Sequence, residues 1–220
     1  MIRVLVADDQ PLVRRAITGI LQDVSDIKVI AEAVNGEEAL KLARTHKPDV
    51  ILMDIEMPGI GGLEATRKLL RNNRDSKIII VTAFCTSILS SRLLKIGALG
   101  YLTKDCGSEE MITAIRKVAL GERYLSANIA SEMAVANLIN GGHSPFTKLS
   151  DREIQILLML VRGVSGRVIS KQLFLSPKTV SSYRHSIFRK LDVHSDVEMT
   201  IMAIKHGLVH VPVVEETVQE

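Results

Sequence analysis

Strand-like and helix-like segments alternate five times along the first half of the chain. Five short apolar runs are separated by segments whose apolar residues recur at helical spacing. Pro11 suits the first turn of a helix, and Asn35 and Ser108 are each followed by a pair of glutamates, which favours helix starts there. This alternation predicts a doubly wound, five-stranded parallel sheet covered by helices on both faces. The predicted strands are Ile2 to Ala7, Ile27 to Ala33, Asp49 to Met53, Ile78 to Ala83 and Ala98 to Thr103.

The second half of the chain carries helical patterns and no strand pattern. One more helix is expected from Ala127 to Ile139, followed by a linker in the stretch NGGHSPF. The stretch LSDREI then has Ser150 and Glu153 at capping-box spacing. We therefore expect an all-α domain of four short helices, which start near Ser150, Gly166, Ser176 and Ser195. The predicted division is residues 1–121 for the α/β domain, 122–146 for helix and linker, 147–211 for the helical domain and 212–220 for an acidic tail.

Composition and charge narrow the functional classes without choosing one. No apolar run approaches the roughly 20 residues that a membrane-spanning helix needs, so no contact with a membrane is expected. Two cysteines do not suggest a disulfide framework, which favours a reducing cytoplasm. The net charge is only +3, but residues 149–211 hold 9 basic and 5 acidic residues. The helical domain is therefore the more basic part, a mild indication of nucleic-acid binding.

Polar side chains occur where the predicted strands end. Three carboxylates, one hydroxyl and one ammonium group follow four of the five strands: Asp8, Asp9, Asp54, Thr82 and Lys104. Ligands of doubly wound sheets bind at this carboxyl edge, so these groups should converge. Crowded carboxylates repel one another unless a cation is present, and oxygen ligands without Cys or His favour Mg²⁺. A metal beside a carboxylate and a lysine suits phosphoryl transfer, with Asp54 as the nucleophile.

The segment from Pro177 to Leu191 has two distinct faces when it is wound as a helix. One face is apolar, and the opposite one is a polar, mostly cationic stripe of Lys178, Ser181, Ser182, His185 and Arg189. A solvated helix face is the simplest interpretation. The preceding stretch, VRGVSGRVISKQLFLSPKTV, nevertheless predicts a short helix, a turn and a capped helix, which is the order of a helix-turn-helix.

The α/β half resembles the receiver domain of two-component response regulators, a flavodoxin-like fold. The resemblance rests on the acidic pair Asp8 and Asp9, on Asp54 in LMDIEMPGIGG, on VTA, and on Tyr101 and Lys104 in GYLTK. It implies that Asp54 accepts a phosphoryl group from a sensor histidine kinase. It also implies that Asp9, Asp54 and the Glu56 backbone carbonyl hold Mg²⁺, with Asp8 acting through water, and that Lys104, Thr82 and Tyr101 form the switch. Gln10 and Asp105 depart from the usual residues without removing a reacting group.

The helical half resembles the NarL/FixJ (LuxR-type) DNA-binding domain through LSDREIQIL and LSPKTVSSYRHSIFRKL. Phrases such as MPGIGGLEATRK and AIKHGLV are similar to the GacA/UvrY/LetA branch. The resemblance implies a homodimer that binds an inverted repeat in promoter DNA, and the branch implies control of small regulatory RNA genes. Lys178 and Thr179 would contact the backbone, with Arg184 and Lys190 as flanking contacts. Ser181, Ser182 and His185 would face base edges. Gly166 and Val168 depart from the usual residues of the turn and first helix.

Two other functions remain open on the sequence. A Mg²⁺-dependent phosphatase with an aspartyl nucleophile also places Asp at a strand end, although Glu56 stands where such enzymes carry a second aspartate. That interpretation would also leave the helical domain unexplained. A regulator that works by partner binding alone is the third possibility, and the intact acidic cluster argues against it.

Overall fold

The α/β half of the chain is built on one parallel sheet. The structure is a computed structural model, and it describes residues 1–83, 87–140 and 144–209. The sheet has the order β2-β1-β3-β4-β5-β6, and each adjacent pair of strands is parallel. Its strands are β1 (Ile2–Ala7), β2 (Ile27–Ala33), β3 (Val50–Met53), β4 (Ile78–Thr82), β5 (Gly100–Thr103) and β6 (Tyr124–Leu125).

All five predicted strands are present, and the doubly wound parallel fold is confirmed. The third, fourth and fifth strands are one or two residues shorter than predicted. The sixth strand was not predicted. It has only two residues, and the Tyr124 amide joins it to the sheet by donating to the Leu99 carbonyl at 2.9 Å. So short a segment carries no alternating pattern that a sequence could reveal.

Helices cover both faces of the sheet. Alternate side chains of one strand point to opposite faces, so in β1 Val4 and Val6 pack on one side and Leu5 and Ala7 on the other. The helices of this half are α1 (Pro11–Gln22), α2 (Gly36–His46), α3 (Gly61–Asn72), α4 (Ser87–Ile96) and α5 (Ser108–Ala119). Buried residues of α1 and α5 share the core of the first side, and those of α2, α3 and α4 share the core of the second.

The rest of the described chain is helical, as predicted. Helix α6 (Ala127–Asn140) is followed by a 3₁₀ turn (Pro145–Lys148) and four more helices. These are α7 (Asp151–Val161), α8 (Gly166–Gln172), α9 (Pro177–Leu191) and α10 (Asp196–Lys205). No helix within the described residues is long and apolar enough to cross a membrane. The predicted acidic tail and the central residues of the predicted linker lie outside the described residues.

The predicted helix starts in this half are confirmed by their caps. The Ser150 hydroxyl accepts from the Glu153 amide, the Glu153 carboxylate accepts from the Ser150 amide, and both bonds of a capping box are therefore made. Ser165, Ser176 and Ser195 cap α8, α9 and α10 through their side-chain oxygens. Pro177 occupies the first turn of α9, where a missing N–H costs nothing.

The two halves pack directly against each other. The buried cluster on the α3 side of the sheet continues into the core of the helical domain. Arg152 of α7 donates to the Gly59 carbonyl at 2.6 Å and to the Leu173 carbonyl at 2.8 Å, so it bridges the loop after β3 and the turn before α9. The Gly59 amide donates to the Gln172 carbonyl at 2.9 Å. The boundaries between the predicted domains stay a prediction.

Candidate functional site

Three carboxylates meet at the carboxyl edge of the sheet. Asp8 and Asp9 follow β1, and Asp54 follows β3, the strand next to it. One carboxylate oxygen from each lies within 4.8 Å of the other two. Asp8 is 2% exposed and Asp54 is 1% exposed, whereas Asp9 is the more accessible of the three. The predicted convergence of these residues is therefore what the fold produces.

Lys104 brings the only ammonium group described in this cluster. Its Nζ lies 2.6 Å from Asp8 Oδ2 and 2.8 Å from Asp54 Oδ2. The position of Lys104 follows from the sheet, because its amide donates to the Thr82 carbonyl at 2.8 Å and so ties the end of β5 to the end of β4. One cation thus partly neutralises two buried carboxylates.

The electrostatics of the cluster favour a further cation. Burial raises the pKa of Asp54 to about 6, even though the hydrogen bond and charge of Lys104 act in the opposite direction. Burial and the charge of Asp8 also raise the pKa of Asp9. For Lys104, burial by itself lowers the pKa, but the bonds and charges of Asp54 and Asp8 outweigh it and the pKa is raised. Keeping the buried carboxylates ionised therefore costs free energy, and a bound divalent ion would reduce that cost.

The donor set of the cluster fits a hard divalent cation. The described acidic cluster consists of carboxylates and contains no thiolate or imidazole. Oxygen ligands of this kind are preferred by Mg²⁺. Mg²⁺ is therefore the ion that these ligands suit.

Backbone groups fix the shape of the loop that follows Asp54. The Glu56 amide donates to Asp54 Oδ1 at 3.2 Å, and the Gly62 amide donates to the Ile55 carbonyl at 3.0 Å. A side chain at position 62 would overlap with the Asp54 carbonyl, so only glycine allows α3 to start this close to the strand end. Gly59, at φ +73°, makes the turn between them. The loop is therefore rigidly attached to the carboxylate that precedes it.

Thr82 and Tyr101 lie on the neighbouring strands β4 and β5, whose ends are joined by the Lys104 amide. Thr82 ends β4 and is 1% exposed. Tyr101 of β5 pairs with Ile80, which lies two residues before Thr82 on β4. The Tyr101 ring is fully buried on the α3 side of the sheet. The role of Thr82 and Tyr101 as a switch stays a prediction.

Helix α9 presents the predicted polar stripe to solvent. Val180, Ile187 and Leu191 are buried against the helical core. The stripe residues Lys178, Ser181, Ser182, His185 and Arg189 are all exposed, and together they line one open surface groove. The described hydrogen bonds and ion pairs with the α/β half are made by Leu149, by α7 with Arg162 at its end, and by Gln172 at the end of α8, so they leave this stripe uncovered.

Five of the predicted DNA-contact side chains have partners within the helical domain. The Ser182 hydroxyl donates to the Lys178 carbonyl at 3.0 Å, and His185 Nδ1 lies 2.8 Å from the Ser181 carbonyl. Arg184 donates to both carboxylate oxygens of Asp196, from Nε at 2.8 Å and from Nη2 at 2.5 Å. Lys190 bonds Glu153 at 2.6 Å. The Thr179 hydroxyl lies 2.8 Å from the Ser176 hydroxyl, at the start of α9. Arg184 and Lys190 thus stabilise the position of α9 in this structure, while the exposed stripe lies on its other side.

No sequence pattern indicated the residues that join the two halves. Asp151 forms ion pairs with Arg92 Nε of α4, at 2.9 Å, and with Arg67 of α3. Arg162, at the end of α7, forms an ion pair with Glu56 in the loop after Asp54. Each of these pairs joins residues far apart in sequence, and nothing in the local pattern of either partner indicates the other.

The fold, the acidic cluster and the helix-turn-helix define a class of protein. Residues 4–116 match the family model described as response regulator receiver domain, and residues 147–203 match the one described as bacterial regulatory proteins, luxR family. The chain belongs to this family of two-component response regulators, which are DNA-binding transcription regulators.

Relatives similar over nearly the whole chain bear particular names. "Response regulator GacA" of Pseudomonas aeruginosa is 51% identical over 210 residues, covering 95% of this chain and 98% of that protein. "Response regulator UvrY" of Escherichia coli K12 is 50% identical over 209 residues, covering 94% and 96%. A solved structure of ChrA, a response regulator of a heme-sensing two-component system, is 33% identical with a TM-score of 0.53, covering 94% of this chain and 98% of that one. The predicted resemblance to the GacA and UvrY branch is confirmed.

Proposed function

We propose that Asp54 is the phosphoacceptor of this regulator. The observation that carries the proposal is the position of Asp54 at the end of β3, 1% exposed, with Lys104 Nζ at 2.8 Å and the Asp8 and Asp9 carboxylates beside it. The donor would be the phosphohistidine of a sensor histidine kinase. In that transfer an Asp54 oxygen forms the new bond to phosphorus as the bond from phosphorus to the imidazole nitrogen breaks, and the imidazole leaves with the bonding pair.

The residues around Asp54 have separate tasks in this proposal. Lys104 would pair with a phosphoryl oxygen and balance its charge, since it already bonds the carboxylate that receives the group. Thr82 and Tyr101 would respond to the new charge as the switch. Asp9, Asp54 and the Glu56 backbone carbonyl would hold Mg²⁺, with Asp8 acting through water. When bound, Mg²⁺ supplies positive charge for the phosphoryl oxygens.

We propose further that the α9 stripe reads promoter DNA. Lys178 and Thr179 would contact the phosphate backbone, where the start of a capped helix also favours an anion. Ser181, Ser182 and His185 would face base edges in the major groove, and Arg189 would lie along the same face. Arg184 and Lys190 would reach flanking phosphates only if they left Asp196 and Glu153, so we expect a smaller contribution from them.

An apolar face of α10 supports the proposal of a homodimer. Val197, Ile201 and Ile204 follow one another at helical spacing and are 68%, 58% and 40% exposed. Exposed apolar residues in one row are a usual feature of contact surfaces. A two-fold dimer formed through this row would present two copies of α9 to an inverted repeat.

The regulated genes and the location are also proposals. We propose control of small regulatory RNA genes on the branch resemblance alone. The low cysteine content favours the reducing cytoplasm as the location. We propose that the chain acts as a switch and not as an enzyme, since no turnover of a small substrate is needed for this role.

Labelling with a phosphohistidine donor tests the acceptor directly. Asp54→Asn keeps the shape of the side chain but removes the nucleophile, so it should abolish acid-labile labelling while the fold stays intact. Lys104→Ala keeps the nucleophile, so some labelling should remain while the gain in DNA binding is lost. Equal labelling of Asp54→Asn and the parent would identify another acceptor, for which Asp9, the most accessible carboxylate of the cluster, is the candidate. Multiple turnovers of small phosphomonoesters by the parent would favour the phosphatase instead.

A further inference from the structure

The helical domain reaches the loop that follows the proposed phosphoacceptor. Arg162 Nη2, at the end of α7, forms an ion pair with Glu56 Oε1, and the two side chains are 28% and 27% exposed. Glu56 lies two residues after Asp54, and 106 positions separate the two partners in sequence. A charge of one domain is therefore neutralised by a charge of the other within the loop that shapes the acidic cluster.

Glu56 is linked to the acidic cluster in two ways. Its amide donates to Asp54 Oδ1 at 3.2 Å, and its carboxylate lies close enough to act on Asp9 electrostatically. Glu56, Asp9 and Arg162 also line one cavity of about 210 Å³ between the two domains. A change in the charge or position of the Glu56 side chain would therefore affect Asp54 through the backbone hydrogen bond and Asp9 through the electrostatic field.

Arg162 is held in place by contacts at the other end of its helix. Arg152, in the first turn of α7, bonds the Gly59 carbonyl at 2.6 Å, and Asp151 bonds Arg92 at 2.9 Å. A straight α-helix attached at its start fixes the direction of its far end. The ion pair with Glu56 thus depends on how α7 is seated on the α/β domain.

We propose that Arg162 is a positioning residue of the phosphoacceptor site, which acts through Glu56 and makes cation binding at the acidic cluster depend on the seating of the helical domain. The inference rests on the proposed function of the cluster. Arg162 neutralises the Glu56 carboxylate and keeps it turned towards α7. Without Arg162, one uncompensated negative charge remains beside Asp9 and Asp54. That charge attracts a divalent cation, and by linkage the bound cation in turn alters the stability of the seated arrangement.

Magnesium titration of the full chain by calorimetry measures this effect. Arg162→Gln should bind Mg²⁺ about twofold to fivefold more tightly than the parent, the change that one unscreened charge several ångströms away produces in a wet site. Arg162→Lys retains the positive charge and should restore the affinity of the parent. Arg167→Gln removes an exposed arginine of α8 and should leave the affinity unchanged.

A double variant tests the route through Glu56. In a Glu56→Gln background Arg162 loses the carboxylate that holds its charge beside the cluster, so adding Arg162→Gln should change the Mg²⁺ affinity less than it does in the parent. Equal affinities of Arg162→Gln and the parent would overturn the inference, and so would an effect of full size in the Glu56→Gln background.

The outcomes separate this inference from the proposed function. A parent that binds Mg²⁺ but takes up no phosphoryl group at Asp54 contradicts the proposed function alone, because the charge effect on the cation can still be measured. If the parent takes up a phosphoryl group at Asp54 but Arg162→Gln binds Mg²⁺ with the affinity of the parent, this inference alone is overturned. A parent that binds no Mg²⁺ overturns both.

Discussion

Glu153 of α7 bonds Lys190 of α9 at 2.6 Å, and this contact joins the first helix of the helical domain to the helix that we propose reads DNA. The same carboxylate accepts from the Ser186 hydroxyl at 2.8 Å and from the Ser150 amide at 2.7 Å. Glu153 is 3% exposed, so its charge is satisfied by these partners and hardly by water. One side chain therefore completes a helix cap and fixes the orientation of α9.

The first prediction concerns acid stability. Burial by itself would raise the pKa of Glu153, but the bonds from Lys190, Ser150 and Ser186 outweigh it and lower the pKa to about 2. A lowered pKa in the folded state stabilises the fold fully above the ordinary value for glutamate, and this contribution is lost as pH falls towards about 2. Its size is on the order of 3 kcal/mol. Glu153→Gln should therefore cost stability at neutral pH and flatten the dependence of stability on pH below about 4.5.

Chemical unfolding at several pH values measures that difference. Glu122→Gln is a matched control, since it removes an exposed carboxylate from the loop before β6. The control should follow the parent at every pH. The unfolding free energies of Glu153→Gln and the parent could instead run parallel from neutral pH to about pH 3, which lies inside the range where the Glu153 contribution should be lost. The Glu153 carboxylate would then not be the group whose titration changes the stability.

The fold and the acidic cluster could be predicted because both follow from local pattern plus one topological rule. Asp8, Asp54 and Lys104 are each ordinary in sequence, but parallel strands place their carboxyl ends at one edge, and this rule brings the three together. The caps of α7, α9 and α10 were predictable for a similar reason, since a serine meets its partner amide only three residues later.

The contacts between the domains follow no such rule. Arg152 meets the Gly59 carbonyl across 93 positions, and that contact depends on how two separately folded units are seated. The bond of Arg184 to Asp196 was missed although only 12 positions separate them, because a cationic residue on a reading helix is equally suited to phosphate. Both contacts depend on which charged or polar groups meet in the folded protein, and a single sequence does not show which groups will meet.

The second prediction assigns different kinds of DNA contact to Lys178 and His185 of α9. Lys178→Ala should weaken binding to every DNA sequence and reduce the salt dependence by about one phosphate contact. His185→Ala should cost about 1 to 3 kcal/mol, mainly on the cognate site, because an exposed imidazole in the groove can distinguish base edges. Binding to cognate and random duplexes at several salt concentrations separates the two effects. Lys95→Ala on α4 controls for the loss of an exposed lysine elsewhere.

Both variants lie on the exposed stripe, so neither should disturb the fold. Equal losses on cognate and random DNA from Lys178→Ala and His185→Ala would contradict the assignment of separate roles. Undiminished binding by both would mean that the stripe is a solvated helix face and that the protein meets DNA elsewhere.

The last prediction concerns the α10 face as the contact between two copies of the chain. Ile201 is the middle residue of the exposed apolar row and is 58% exposed, whereas Met199 and Ala203 of the same helix are buried in the domain core. A charge at position 201 should therefore leave the fold intact but place an unpaired carboxylate in a dimer interface, which is costly. Ile201→Asp should weaken dimerisation of the phosphorylated protein at least about tenfold, as measured by sedimentation.

The effect on DNA follows from the geometry of a two-fold dimer. A dimer gains affinity because its second half-site contact is intramolecular, so Ile201→Asp should lose that gain on a full inverted repeat and bind a single half-site as the parent does. Val34→Asp provides the control, since Val34 is an exposed apolar residue of the α/β domain, 41% exposed, and lies outside α10. If Ile201→Asp dimerised and bound the full repeat like the parent, α10 would not be the contact surface. The apolar row would then need another partner.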